Sequence, residues 1–427
     1  MKLQKKLHLI LFLAWYPFSF TFSQAWTQIT TTGAIAPRSN ASAIYISSQN
    51  KMFVFGGNTA AGNVNELWCL DLNSNNWSLV PTNSAQLPAP RYTHVSMYDS
   101  LLNRMLIWSG QGSALYNDVW AFNFNDSTWT ELFADGNVAG APLKRYGTAT
   151  VFDPLNRNII NFAGFTTAGR FDDTWSFKLD SLNWTDQTNT FFPLRRCLTS
   201  QSFAEDRRAM IVFGGQSTGN LNDIWSLNAD TYVWTDLTPV QSPPSRHFPS
   251  NVYSGNGNII VFGGNSLNQG NISGGLNDLW RFNLDTQLWD TLPQSVIKPL
   301  QRFGHSAIYI PSQDKMIIFG GQGTSSILSD TWEYTGISTV GISNISNESS
   351  INIFPNPVSG LLNIKINNSS NIKSQLKITN VLGENIFSKE IQNNETIVDM
   401  STLQNGIYFV KIENEYTIQT KQIIVNK

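Results

Sequence analysis

The sequence predicts an all-β chain: six four-stranded sheets packed radially about one axis, followed by a small antiparallel sandwich. Three observations carry this. A unit of roughly 50 residues recurs six times. The middle of each unit is a short, continuously apolar run that suits a strand covered on both faces. Tryptophans recur at fixed offsets, and a lone four-stranded sheet could not bury them, whereas a ring of such sheets can.

The unit opens at an arginine: Arg38, Arg91, Arg145, Arg196, Arg246 and Arg302. A first strand is expected to begin there. Apolar runs such as Met52–Phe55, Met105–Trp108 and Met316–Phe319 form the second. Each run ends in a small-residue pair: Gly56-Gly57, Ser109-Gly110, Ala163-Gly164, Gly214-Gly215, Gly263-Gly264 or Gly320-Gly321. From arginine to the second glycine the separation is 19 residues in five copies and 18 in the fifth. Glycine here permits positive φ and close backbone approach. Next come Trp68, Trp120, Trp175, Trp225, Trp280 and Trp332, each with an acid two places before it (Glu66, Asp118, Asp173, Asp223, Asp278, Asp330). A second tryptophan follows nine residues later in five copies, at Trp77, Trp129, Trp184, Trp234 and Trp289. Between the pair, the fifth position is Asn or Asp (Asn73, Asn125, Asp180, Asp230, Asp285), residues that tolerate left-handed turns, so a hairpin joins the third and fourth strands there.

The sixth copy lacks its last aromatic, for Gly341 stands nine residues past Trp332. Ala25-Trp26-Thr27-Gln28-Ile29, directly ahead of Arg38, supplies the missing strand and closes the ring non-covalently. Double glycine, spaced aromatic pair and period together resemble kelch-repeat β-propellers over residues 25 to about 336. Copies two and three depart from the pattern at Ser109 and Ala163.

Residues 1–23 read as a secretory signal: Lys2, Lys5 and Lys6, an apolar centre from Leu7 to Tyr16, then small residues at Thr21 and Ser23. Pro17 interrupts the run short of the ~20 residues a membrane span needs, and no other stretch could cross a bilayer as a helix once the signal is removed. A net charge of −2 with 14% charged residues gives no sign of a nucleic-acid partner. Cys69 and Cys197 fall in copies one and four, on opposite sides of a six-membered ring, and are expected as buried thiols.

After the propeller at 24–336, residues 337–350 form a Ser/Asn/Ile linker, and residues 351–427 a second domain. Its strands alternate, as in Leu362–Ile366 and Ile407–Ile412, which suits a β-sandwich. The phrases Phe354-Pro355-Asn356-Pro357, Asn380-Val381-Leu382-Gly383, Leu403–Tyr408 and Lys421–Val425 resemble the C-terminal sorting domain of the type IX secretion system. That resemblance implies the type IX secretion machinery as a partner of residues 351–427, and a route through the periplasm to the medium or the outer cell surface.

In kelch propellers the first strand is innermost, so the six arginines, with His94 and His305 three residues after Arg91 and Arg302, are the candidate ligand-binding set at a channel mouth. Two roles fit the six arginines. They could offer bidentate donors to carboxylate or sulfate groups, or each could pair with the acid of its own unit. Tyr92, Tyr116, Tyr146, Phe165, Phe171, Phe248 and Phe303, in or beside loops, could stack on sugars or pack between blades. No cofactor is expected. Some secreted kelch propellers are copper oxidases with a cysteine-crosslinked tyrosine, but neither cysteine here has an evident tyrosine partner. The leading expectation is a secreted or surface binding module for an extracellular glycan or protein ligand. The alternatives are an enzyme acting on a small sugar acid, as in sialic-acid mutarotases, and a structural role in a surface assembly.

Overall fold

The computed structural model describes residues 24–267, 271–337, 351–366, 374–380, 384–391, 395–413 and 418–427, in two compact units, the first holding the described residues up to 337 and the second those from 351 on. The expected signal peptide and all but Ile337 of the expected linker lie outside the described residues.

The first unit contains six antiparallel sheets, each a meander of four main strands. In the first, Ser42–Ile46 pairs with Lys51–Phe55, then come Leu67–Asp71 and Asn76–Leu79. The apolar run is the second strand, and Met52, Phe53, Val54 and Phe55 are all buried because neighbouring sheets cover both faces. In the sixth sheet the outer place is taken by Ala25–Ile29, antiparallel to Ile327–Thr335 with Trp26 opposite Tyr334.

Two local expectations are corrected. In five units the arginine does not begin the inner strand but stands four residues ahead, as Arg38 does before Ser42–Ile46; in the sixth, Arg302–Phe303 is itself a short strand paired with Lys315–Gly323 ahead of Ser306–Ile310. The intervening backbone turns through a left-handed residue two places after the arginine: Asn40, Thr93, Gly147, Leu198, Phe248 or Gly304. In the outer hairpins the left-handed residue is not the Asn or Asp but the one two places later: Asn75, Ser127, Leu182, Tyr232 or Gln287. The side chain that organises the turn sits at the end of the third strand. Asp71 Oδ1 accepts from the Asn73 and Ser74 amides, and Asn228 and Asn283 do the same. This leaves the fifth position free to bond outward, as Asn73 does to Asn50.

Three cyclic sets of contacts join the sheets. The outer tryptophan of each sheet packs on the aromatic that ends the apolar run of the second strand in the sheet before it: Trp129 on Phe55, Trp184 on Trp108, Trp234 on Phe162 and Trp289 on Phe213. Trp26 sits on Phe262 and Trp77 on Phe319, so the sixth sheet follows the fifth and the first follows the sixth. The second small residue of each unit donates its amide to the carbonyl of the next unit's arginine, ending with Gly321 to Arg38 at 2.9 Å. The six left-handed residues also bond one to the next. Thr93 donates to Asn40, Gly147 to Thr93, Leu198 to Gly147, Phe248 to Leu198, Gly304 to Phe248 and Asn40 to Gly304, at 2.6–3.1 Å. Positive φ turns each amide toward the neighbour rather than along its own strand. Gly304 also leaves room for its neighbour, since a Cβ there would lie 2.2 Å from Asn40 Oδ1 and that side chain would have to move.

The second unit has a three-stranded sheet (Ile351–Phe354, Leu361–Ile366, Glu395–Asp399) and a four-stranded one. Buried Val358, Leu362, Ile364, Val398, Leu376, Ile378, Val410 and Ile423 from both form one core. Asn356 Oδ1 accepts from the Ile424 amide at 2.8 Å and Asn405 Oδ1 from the Lys427 amide at 2.9 Å, so three of the sequence phrases meet at one corner.

Candidate binding face

Connections entering each inner strand and loops leaving each second strand emerge on the same face, since adjacent strands are antiparallel. The six arginines lie beneath this face, wholly buried. Arg91 is representative. Its Nε donates to Ala89 O at 3.0 Å and its Nη1 to Ser109 O at 3.0 Å, while both Nη atoms clasp Asp118 at 2.6 and 2.7 Å. Trp120 Nε1 holds Asp118 from the other side at 2.8 Å. Arg145, Arg196, Arg246 and Arg302 repeat the same bonds with Asp173, Asp223, Asp278 and Asp330. Arg38 reaches Glu66 through one contact at 3.0 Å. The pairing role is therefore the one present in this arrangement: each guanidinium is taken up by carbonyls and by the acid of its own unit.

The electrostatics agree. Burial by itself pushes the Asp278 and Asp330 carboxyls up, but Arg246 and Arg302 outweigh it and hold both below the usual range. His94 and His305 are also buried. His94 Nε2 lies 2.6 Å from Ser42 Oγ, and His305 Nε2 lies 2.8 Å from Ser250 Oγ, so each ties its unit to the preceding one. Burial, with the neighbouring Arg91 or Arg302, lowers each imidazole to about 3.

The expected aromatics divide. Tyr116 and Phe171 lie under the Arg91 and Arg145 guanidinium groups at 4.4 and 4.2 Å, and so pack within their units. Tyr92, Tyr146, Phe165, Phe248 and Phe303 gather at the collar of the face. The residue after each arginine pairs through its backbone with the residue after the small pair: Ser39 with Asn58, Tyr92 with Gln111, Tyr146 with Phe165, Cys197 with Gln216, His247 with Asn265 and Phe303 with Gln322. The collar is thus a mixture of aromatic rings and side-chain amides. The long loop after Asn265 is organised by that residue, whose side chain accepts from the Leu267 amide and donates to Asn271 O.

Around the collar, the connections ahead of the arginines carry exposed apolar side chains: Val138, Leu143, Phe191, Leu194, Val240, Val296, Ile297 and Leu300. The arginine sets their direction. Arg145, Arg196 and Arg302 each donate Nε to the carbonyl two residues before, which fixes the backbone at Leu143, Leu194 and Leu300 and leaves those side chains outside. Below the collar a cavity of about 690 Å³ follows the inner strands, lined by Ser42, Ser96, Thr150 and Ser202 and, toward its far end, by Tyr45, Tyr98, Phe203 and Tyr309.

Repeated sheets, an internal arginine–acid clamp in each and loops gathered on one face define a propeller-type binding scaffold. Residues 16–190 and 65–264 match the KLHDC2/KLHL20/DRC7 Kelch-repeats domain, residues 210–353 the Attractin/LZTR1 beta-propeller, and residues 352–426 the secretion system C-terminal sorting domain. The chain belongs to the kelch-repeat β-propeller family and carries a type IX sorting domain, which marks it for secretion or cell-surface attachment. Among similar proteins is the leucine-zipper-like transcriptional regulator 1 homolog of Drosophila melanogaster, 26% identical over 74% of this chain and 33% of that protein. The host cell factor homolog hcf-1 of Caenorhabditis elegans is 24% identical over 57% of this chain and 33% of that protein. The chain thus spans about a third of the length of these relatives. Among the described residues no helix is long and apolar enough to cross a membrane.

Proposed function

We propose that residues 24–336 are a six-bladed propeller, closed by the N-terminal strand, that binds an extracellular protein on the face bearing the arginine-side connections. Residues 1–23 direct the chain to the periplasm, and the sandwich at 351–427 carries it across the outer membrane. The observation behind the ligand class is the set of exposed apolar side chains Leu143, Leu194, Val240, Ile297 and Leu300 on this face, three of which (Leu143, Leu194 and Leu300) are held outward by the clamps beneath them. Several large apolar side chains exposed on one face among polar loops suit a protein-binding site. In this reading Arg38, Arg91, Arg145, Arg196, Arg246, Arg302, His94 and His305 shape the face from below rather than touch the ligand.

A second reading rests on the collar itself. Tyr92, Tyr146 and Phe165 beside Gln111 and Gln216 combine flat rings with amides, a surface suited to a glycan.

The test is an array of extracellular proteins and glycans probed with the full mature chain. A partner protein whose affinity falls at least tenfold in both Leu194→Asp and Leu300→Asp, with melting temperature unchanged, supports the protein reading. Glycan binding insensitive to these variants but lost in Tyr146→Ala replaces it with the second.

A further inference from the structure

We propose that Arg170 is an anion anchor on this face, taking a carboxylate from an acidic segment of the protein ligand. The inference rests on the protein-binding reading and adds the chemistry of one subsite. Among the described residues every arginine of the chain except Arg170 stands within salt-bridge distance of a carboxylate. The fold neutralises the others within the protein and leaves this one charge uncompensated.

Its surroundings are built and neutral. Arg170 is part of the strand Gly169–Lys178 and pairs with Phe165 across the hairpin, so its backbone is fixed. The guanidinium reaches from the third sheet to the fourth, where Nη2 donates to Gln216 Oε1 at 2.9 Å. Gln216 is in turn locked by a two-way backbone pair with Cys197 at 2.8 and 3.0 Å. The Phe165 ring lies under the guanidinium at 5.5 Å. The Cys197 thiol beside it is buried, and burial raises its pKa, so it stays protonated and supplies no counter-charge. Nε is buried without an acceptor and lies out of a ligand's reach; the side chain also meets the neutral Cys197 thiol, and Gln216 Oε1 is the one oxygen that it meets among the described residues. The outer edge of the guanidinium fork, through Nη1 and the second Nη2 hydrogen, can meet the two oxygens of a carboxylate end-on. Exposed apolar side chains nearby favour a peptide over a free acid: Phe191 and Leu194 lie on the connection into Arg196, whose backbone pairs with Phe171 next to Arg170, and the clamp beneath Leu194 fixes its place.

The experiment measures binding of hexaglutamate peptide, hexaglutamine peptide and polygalacturonate to the full mature chain and to Arg170→Gln, Arg170→Lys and Arg195→Gln. Arg195 is a neighbouring exposed arginine already paired with Asp172 at 3.5 Å, and serves as the charge-matched control. The expected result is that hexaglutamate binds and hexaglutamine does not. Affinity should fall at least tenfold in Arg170→Gln, recover in part in Arg170→Lys and stay within twofold in Arg195→Gln. Three results overturn the proposal: no hexaglutamate binding, hexaglutamate binding equal in Arg170→Gln, or Arg170-dependent binding of polygalacturonate alone. If a protein ligand is lost in Leu194→Asp yet indifferent to Arg170→Gln, the protein-binding face stands and the anchor falls.

Discussion

At the scale of the residue, the arginine–acid clamp is a buried ion pair whose geometry satisfies nearly every polar atom it contains. Asp118 receives both Arg91 Nη atoms and Trp120 Nε1, while Arg91 spends its other donors on Ala89 O and Ser109 O. Removing one partner strands a charge in a site that water does not reach. Asp118→Ala is expected to cost about 3–5 kcal/mol in urea denaturation; a loss under about 1 kcal/mol contradicts the clamp. Acid acts on a different set of groups. The unfolded histidines titrate near 6.5, whereas folded His94 and His305 resist protonation down to about 3. Above the unfolded value both states are neutral and nothing is at stake. As pH falls below it, the unfolded chain takes up protons that the folded one refuses. Stability should therefore decline between about pH 6.5 and 4 by up to about 1.4 kcal/mol per pH unit for each of these histidines. Denaturant midpoints across that window check it, and His94→Gln with His305→Gln should flatten the slope.

At the scale of the element, the decisive piece is the five-residue strand Ala25–Ile29, which is remote in sequence from the sheet that it completes. Trp26 fills the place that Trp77, Trp129, Trp184, Trp234 and Trp289 fill in the other sheets, and packs on Phe262 and Tyr334 at 4.7 and 5.3 Å. Trp26→Ala should destabilise the first unit by about 3–5 kcal/mol, read from chemical denaturation. Wild-type stability for that variant would mean that the sixth sheet stands without its outer strand. The inner ends of the sheets depend on the cycle of six backbone bonds, where each left-handed residue both gives and accepts. That cycle raises the collar residues onto a rigid ring, so loops of variable sequence stand on a fixed base.

At the scale of the molecule, one chain carries two units with separate tasks, a binding scaffold and an export signal. Deleting residues 351–427 should leave a folded first unit retained inside the cell envelope, with none in the medium. Fractionation of cells producing the truncated chain checks this, and normal release of the truncation contradicts it. The repeat made much of this legible beforehand. The near-constant Arg91–Gly110 interval and the fixed Asp118–Trp120 and Trp120–Trp129 intervals return the sheet order, the small-residue turns and the arginine–acid pairing as one of two options, because each is imposed by strands and turns of set length, while the span from glycine to acid changes with its loop. Trp26 was legible as a missing sixth copy of an aromatic. Arg170 was not, since it lies outside the repeat register, and its meaning comes only from what every other arginine has found. Nor could spacing place the left-handed residue two positions after each arginine, for Asn40, Thr93, Leu198 and Phe248 share no side-chain chemistry. Sequence by itself determined the class of fold, the number of repeats and the export tail, all of which are local patterns repeated or ordered along the chain. Only the tertiary structure decided which charges are cancelled and which apolar side chains remain outside, because neutralisation and exposure depend on neighbours that the chain brings together from distant positions.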